Sequence, residues 1–299
     1  MKKKVGLIGL GLMGSGLARN LLSAGYSLIA YDIEESKVEA VVKLGAKRIG
    51  APHEIPGQVD VVMLSLPNSH VVNDVVKESL KLFETGRKEL ILVDMTTADP
   101  ILSEELASQL RGKGIEMLDA TISGTNKMCL ERDIIFMVGG EEAIFKTCEP
   151  IFSALGREAF YMGKNGTGAL TKLVINLVLG LNRMVLAEGL ALAKKAGMDP
   201  YRTLEVLKSS AAYSKAMDQK GLKMIERDFL PAEGKLAFHL KDVGLILDLG
   251  KRFKIPLFLS SLHAQALTAE VAKGRAEWDN SDIISFYEDR MNPQEDKTQ

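Results

Sequence analysis

Two textures of hydrophobic spacing divide this chain. Through about residue 163, short and nearly continuous apolar runs alternate with segments whose apolar positions recur every three or four residues; beyond it only the second spacing persists. The runs fall at 5–8, 27–31, 60–66, 90–95, 115–118, 134–138 and 158–162. Between them Leu17, Ala18, Leu21 and Leu22 share a helical face, as do Val71, Val72, Val75, Val76 and Leu80, and again Leu102, Leu106 and Leu110. Helical spacing also covers 36–44, stopped by Gly45, and 143–152, while 119–125 reads as a loop. A strand without polar alternation is buried on both faces. Such strands separated by helices predict an α/β fold, a doubly wound parallel sheet of the Rossmann type.

The second texture opens with residues 166–197, which predict one helix about 45 Å long at 1.5 Å per residue. It is apolar around most of its circumference, so burial on several sides is expected. Helical patterns follow at 200–209, 213–228, 236–253 and 260–272. The expected organisation is therefore a Rossmann domain over 1–163, an all-helical domain over 164–291 built on the long helix, and a polar tail over 292–299.

Composition narrows the partners. With 299 residues, 46% hydrophobic, 26% charged and a net charge of −1, the chain reads as an ordinary soluble protein with no nucleic acid or membrane as its main partner. Two cysteines, Cys129 and Cys148, and four histidines give neither a disulfide framework nor metal-ligand spacing, so reduced thiols in the cytoplasm and no metal site are expected. The basic start followed by an apolar, glycine-rich run imitates a signal peptide, but cleavage there would discard the glycine turn described next. No charge-free run, that between Lys172 and Arg183 included, reaches the ~20 residues of a membrane span.

The candidate chemistry starts at the first strand end. Gly9, Leu10, Gly11, Leu12, Met13 and Gly14 form a G-x-G-x-x-G turn between a strand and a helix, with Asp32 closing the next strand. Gly9 permits the tight turn, Gly11 lets backbone N–H groups approach a pyrophosphate, and Gly14 lets the helix pack on the strand. Asp32 suits the ribose hydroxyls of NAD and repels the 2′-phosphate of NADP; no base occurs before Lys37. Ligands of such sheets sit at the carboxyl ends of the strands, which singles out Leu66, Pro67, Thr96, Thr97 and the segment 119–125. On the long helix Lys172 and Asn176 lie four apart and share a face. A lysine with a lowered pKa can exchange the proton of a carbinol during hydride transfer, and Lys241 is a candidate for the nearby cation that lowers it.

Four motifs then fall in order: GLIGLGLMG at 6–14, DMTTADP at 94–100, DATISGT at 119–125 and GKNGTGALTKLVIN at 163–176, with the Lys241, Asp242 pair as a fifth. In these the chain resembles the beta-hydroxyacid dehydrogenase family, the group of 3-hydroxyisobutyrate dehydrogenase and tartronate semialdehyde reductase. The resemblance implies that Lys172 is the catalytic acid/base and Asn176 a substrate contact. It implies that Ser123, Gly124 and the backbone at Thr125 hold the substrate carboxylate, and that Lys241 lies near nicotinamide or substrate. It puts Leu12, Met13, Asp32, Leu66, Pro67 and Thr97 on the cofactor, NAD in preference to NADP, and implies a homodimer or homotetramer acting on a small carboxylic acid. The expected reaction is interconversion of a 3-hydroxy acid and its semialdehyde. A sulfonate-semialdehyde or imine reductase, and a non-catalytic NAD-responsive module, are the alternatives. Thr121 stands where the family commonly has proline and Thr125 where it has glycine, and Asn126, Lys127 and Met128 follow where small residues are usual. A side chain at Thr125 narrows the carboxylate pocket or adds a hydroxyl to it, and Lys127 suits a second anionic group.

Overall fold

The computed structural model describes residues 2–291; the expected tail over 292–299 lies outside the described residues. Through Lys172 the chain forms one compact unit, and from Leu173 a second.

In the first unit β1 (Val5–Ile8), α1 (Leu12–Ser23), β2 (Leu28–Tyr31) and α2 (Glu35–Val42) lead to β3 (Val61–Leu64). Next come α3 (Ser69–Asp74), a π-helical turn over Val75–Ser79, α4 (Leu82–Thr85), β4 (Ile91–Asp94), α5 (Pro100–Arg111) and β5 (Glu116–Ser123). The unit finishes with α6 (Asn126–Leu130), β6 (Ile135–Gly139), α7 (Glu142–Leu155) and β7 (Glu158–Gly163). The seven strands run in the order β2-β1-β3-β4-β5-β6-β7. All neighbours are parallel except β5 and β6. That reversal has a simple cause: a parallel return needs a crossover of a dozen or more residues, and only the short α6 and its flanks separate the two strands. The sheet is thus mixed, parallel through β5 as the sequence predicts and antiparallel at one pair.

Successive strand residues serve opposite faces. Val61 and Met63 join the core under α1 and α7, whereas Val62 and Leu64 join the one under α3 and α5. Met63 and Leu64 are both fully buried, each worth ~1.5–3 kcal/mol relative to exposure. The chain passes from β1 to β2 on one side and then to β3 on the other, so β1 is the topological switch strand, where crevices open at the carboxyl edge.

The helix α8 (Thr167–Lys195) begins in the first unit and continues into the second, which adds α9 (Pro200–Ser209), α10 (Lys215–Glu226), α11 (Leu236–Phe253), α12 (Phe258–Glu270) and α13 (Ile283–Met291). Met184, Leu186 and Leu190 of α8 pack with Leu204, Met224, Leu236, Val243, Leu267 and Ile283 in one core. Two readings of the sequence change here. Val174, Val178, Val185 and Leu192 of α8 are exposed, so within one chain the helix is buried on part of its circumference and not on several sides. Among the described residues α8 is also long and apolar enough to cross a membrane by length and composition, with a mean hydropathy of 1.5, although no uncharged run in it reaches that length. The helix α13 was not foreseen.

Candidate active site

Gly9 follows β1 with φ +91°, and a Cβ there would stand 2.2 Å from the Ser65 carbonyl oxygen. A Cβ on Gly14 would stand 1.9 Å from the Gly9 carbonyl oxygen. Both positions are closed to side chains by backbone packing. Gly11 differs: a Cβ there would meet nothing within 4 Å. The glycine leaves open space at the N-terminus of α1, where Gly11 supplies no side-chain cap and the first turn carries no acid. Uncapped N–H groups beside such a space suit a diphosphate, the part of a dinucleotide that would lie there. Leu12 is exposed and Met13 half-buried beside it.

Asp32 closes β2. Its Oδ2 accepts the Leu10 N–H at 2.6 Å and its Oδ1 accepts the Glu34 N–H at 2.9 Å, so the carboxylate braces the glycine turn while keeping lone pairs for a ligand. Two of the bases that follow Asp32 in the chain are engaged with acids. Lys37 binds Glu34 at 2.6 Å and Arg48 pairs with Glu35.

At the next two strand ends, Leu66 is half-buried and donates its N–H to the Thr96 hydroxyl at 3.2 Å, with Pro67 exposed and Thr97 half-buried beside them. Asp94, 1% exposed, accepts the Thr96 N–H at 3.0 Å. Burial pushes its carboxyl up to about 7, against the pull of its Thr96 hydrogen bonds and with some help from Asp119. Asp94 and Asp119 are register partners on β4 and β5. Thr96 thus ties the loops after β3 and β4 together.

The segment 119–125, read from sequence as a loop, is strand through Ser123 because it pairs with β6. Ser123 ends β5 half-buried, and Gly124 has φ +152° with its Cβ position 2.5 Å from Ile134 Cγ2. The Thr125 hydroxyl accepts the Met128 N–H at 3.3 Å and caps α6. That helix is held on α1: Asn20 donates its side-chain N–H to the Cys129 carbonyl at 2.7 Å, and a Cβ on Gly16 would stand 3.0 Å from Cys129 Sγ. The turn after β5, α6 and α1 are one packed assembly.

Asp119 accepts the Gly166 N–H at 2.8 Å and the Ala169 N–H at 2.9 Å, at the start of α8. Thr121 donates its hydroxyl to the Gly168 carbonyl at 2.8 Å. Lys172 follows on the same helix, half-buried. The first unit therefore gathers Gly9 to Gly14, Asp32, Leu66, Pro67, Thr97, Ser123, Gly124 and Thr125 along its carboxyl edge, and fixes there the base of the helix that carries Lys172.

In the second unit Asn176 is buried and donates its side-chain N–H to Asp242 Oδ2 at 2.9 Å, while Asp242 Oδ1 lies 3.1 Å from Lys241 Nζ. The charge of Lys241, the candidate cation of the sequence, is offset by its neighbour Asp242. Beneath this triad Arg183 Nη2 lies 3.0 Å from His239 Nε2, and the His239 and His263 rings are 5.0 Å apart. Burial pulls Arg183 down to about 10, and burial with the Arg183 charge pulls His263 down to about 4. Gly180 makes room, since a Cβ there would meet His239 Nε2 at 2.5 Å and His263 Cε1 at 2.7 Å. Sequence reasoning gave no role to Asp94 or this histidine pair, and it placed Asp119 and Thr121 only within a ligand-binding segment, not as partners of α8. An acid closing an apolar run was the available signal for Asp94 and Asp119.

Residues 4–163 match the model described as the NAD binding domain of 6-phosphogluconate dehydrogenase, and residues 166–287 that described as the NAD-binding of NADP-dependent 3-hydroxyisobutyrate dehydrogenase. The chain is 33% identical to 2-(hydroxymethyl)glutarate dehydrogenase of Eubacterium barkeri, covering 95% of each chain. It is 31% identical to 2-hydroxy-3-oxopropionate reductase of Escherichia coli, covering 95% of this chain and 97% of that one. Its fold superposes on a Mycobacterium tuberculosis 3-hydroxyisobutyrate dehydrogenase with a TM-score of 0.87, at 24% identity, over 95% of this chain and 99% of the other. With both halves matched and relatives above 30% identity along nearly their full length, the chain belongs to the beta-hydroxyacid dehydrogenase family of NAD(P)-binding oxidoreductases.

Proposed function

We propose that this protein is an NAD-dependent oxidoreductase interconverting a small 3-hydroxy acid and its semialdehyde, with Lys172 as general acid/base. The observation that carries the reading is that the helix bearing Lys172 is held at its start by Asp119 of β5, in the unit whose switch strand ends in an open glycine turn. NAD over NADP is supported by the Asp32 carboxylate and by the engagement of Lys37 and Arg48 with Glu34 and Glu35.

When bound, the nicotinamide ring supplies the hydride acceptor or donor. The chain's own residues do the rest. In the oxidative direction the Lys172 amine takes the carbinol proton, and in the reductive direction the ammonium returns it to the carbonyl oxygen. The Ser123 hydroxyl and the backbone N–H groups of Gly124 and Thr125 hold the substrate carboxylate. Asn176, oriented by Asp242, contacts the substrate, and Lys241 adds positive charge nearby. The expected assembly is a homodimer or homotetramer, supported by the exposed apolar stripe Val174, Val178, Val185 and Leu192.

The residues that depart from the family pattern suggest the substrate class. Thr121 binds α8, Thr125 caps α6, Asn126 Oδ1 lies 3.5 Å from the Cβ position of Gly16, and Met128 packs on the core. Lys127 alone of this set is exposed. A substrate with a second carboxylate accounts for a lysine there, in keeping with the dicarboxylic acid in the Eubacterium barkeri relative's name. Initial rates with NAD and with NADP on 3-hydroxyisobutyrate, 3-hydroxypropionate, glycerate and 2-(hydroxymethyl)glutarate test both choices. The dicarboxylate is expected to be fastest and Lys127→Ala to erase that advantage. A preference for monocarboxylates unchanged by Lys127→Ala would refute the substrate class. The Lys172→Ala variant is expected to bind NAD normally and lose most turnover, and wild-type turnover in it would refute the mechanism.

A further inference from the structure

The base of α8 is gripped more closely than a helix start requires. An α-helix leaves its first four N–H groups without internal partners. Here Asp119, 1% exposed, takes two backbone N–H groups at that end, one on each carboxylate oxygen, and its charge favours the positive end of the helix dipole. Two residues on, the fully buried Thr121 donates to the Gly168 carbonyl. In helical register that carbonyl also accepts the backbone N–H of Lys172, four residues later. Two residues before Asp119, the Met117 carbonyl accepts from the Asn165 side chain at 2.7 Å. Alternate positions 117, 119 and 121 of one strand therefore grip residues 165–169. The contact is backbone on backbone: a Cβ on Gly168 would stand 2.3 Å from the Asp119 carbonyl oxygen and 2.5 Å from that of Met137.

We propose that Asp119 and Thr121 are positioning residues for the reaction, a clamp that sets the rotation and height of the first turn of α8 and so aims the Lys172 amine. The inference rests on Lys172 being the acid/base. It also gives a use to Thr121, since a proline in its place carries no hydroxyl to hold Gly168. The clamp touches neither the glycine turn nor Asp32, so it governs turnover and not cofactor affinity.

The test uses the full-length protein with Thr121→Val, Thr121→Ser, Asp119→Asn and Lys172→Ala. Each is assayed at saturating NAD on whichever of 3-hydroxyisobutyrate, 3-hydroxypropionate, glycerate and 2-(hydroxymethyl)glutarate the wild type oxidises fastest. Displacing a catalytic group by a fraction of an ångström is expected to lower kcat about tenfold in Thr121→Val, with the NAD dissociation constant within about twofold of wild type. Thr121→Ser, which keeps the hydroxyl, should stay within about twofold of the wild-type kcat. The kcat–pH profile of Thr121→Val should shift, because its amine sits in altered surroundings, and the amides of 168–172 should exchange faster. A merely structural role would reduce the amount of folded enzyme without moving the profile. Wild-type kcat and an unmoved profile in both Thr121→Val and Asp119→Asn, with Lys172→Ala inactive, would overturn the clamp alone. Full turnover by Lys172→Ala would instead overturn the acid/base reading and the clamp with it. Should Asp119→Asn fail to fold, the pair at Thr121 decides the matter.

Discussion

Asp94 is the clearest place to test whether the sheet end is as dry and as crowded as its geometry says. Its carboxyl is 1% exposed, is held by Thr96, and faces Asp119 across the β4–β5 register. Burial lifts its pKa from 3.8 to about 7. The folded protein then keeps a proton that the unfolded chain has already lost over the window between those two values. Stability from this group is full below the unfolded value of 3.8 and declines as pH rises toward about 7. Between pH 5 and 8 the loss is about 3 kcal/mol, taking 1.36 kcal/mol per pH unit. Against a total of ~5–15 kcal/mol for a typical domain, that is a large fraction.

Replacing Asp94 with Asn keeps the oxygen that accepts the Thr96 N–H and removes the titration. The variant should match wild type within about 1 kcal/mol near pH 5 and be more stable by about 3 kcal/mol at pH 8. Urea unfolding followed by far-UV circular dichroism at pH 5, 6.5 and 8 measures the gap. Carboxylates remote from Asp94 contribute slopes that cancel in the difference between variant and wild type, whereas Asp119 titrates with Asp94 and belongs to the measured gap. A gap that stays constant from pH 5 to 8, or a variant less stable at every pH, would refute the account of a buried acid forced to hold its proton.

Three further outcomes are expected. Asp32→Asn should weaken NAD binding about tenfold and NADP binding less, narrowing the ratio of the two dissociation constants measured by fluorescence titration; an unchanged ratio removes Asp32 from cofactor choice. Gly180→Ala forces a methyl against His239 and His263 and should cost about 1–3 kcal/mol, read as an earlier urea transition in Trp278 fluorescence. Burial pushes the Cys129 thiol up to about 11 and the Cys148 thiol up to about 12, so neither should react with a disulfide reagent at pH 8 until denaturant is added, whereas rapid labelling of native protein would contradict the packing.

The sequence was most informative where a pattern repeats along one element. Continuous apolar runs marked the strands, and the spacing over 200–209 and 236–253 located α9 and α11 to the residue. The glycine turn was legible because its three glycines keep a fixed spacing between a strand and a helix, and the structure gives each a use: Gly9 and Gly14 are closed by the Ser65 and Gly9 backbones and Gly11 is open. It was less informative where a strand's length depends on its neighbour. Nothing within 119–123 distinguishes loop from strand; the antiparallel partner β6 decides it, and that partner is set by the brevity of the intervening link.

Polar residues inside the cores were illegible for a related reason. Asp119, Thr121, Arg183 and His239 look like ordinary polar positions in sequence because their partners, Gly166, Gly168, Ala169 and the residues of α11 and α12, are supplied by distant segments. Each is tolerated only because such a partner exists, since a buried carboxylate or guanidinium without one costs more than a domain can spare. The acids at 94 and 119 thus carry information that hydropathy reverses. An aspartate buried in a sheet, at the end of β4 or in the middle of β5, is retained against its own desolvation, so the structure around it must need its hydrogen bonds. Here that need is met at Thr96, which joins the loops after β3 and β4, and at the foot of α8, two places where a shift of backbone would move the groups proposed to meet NAD and substrate.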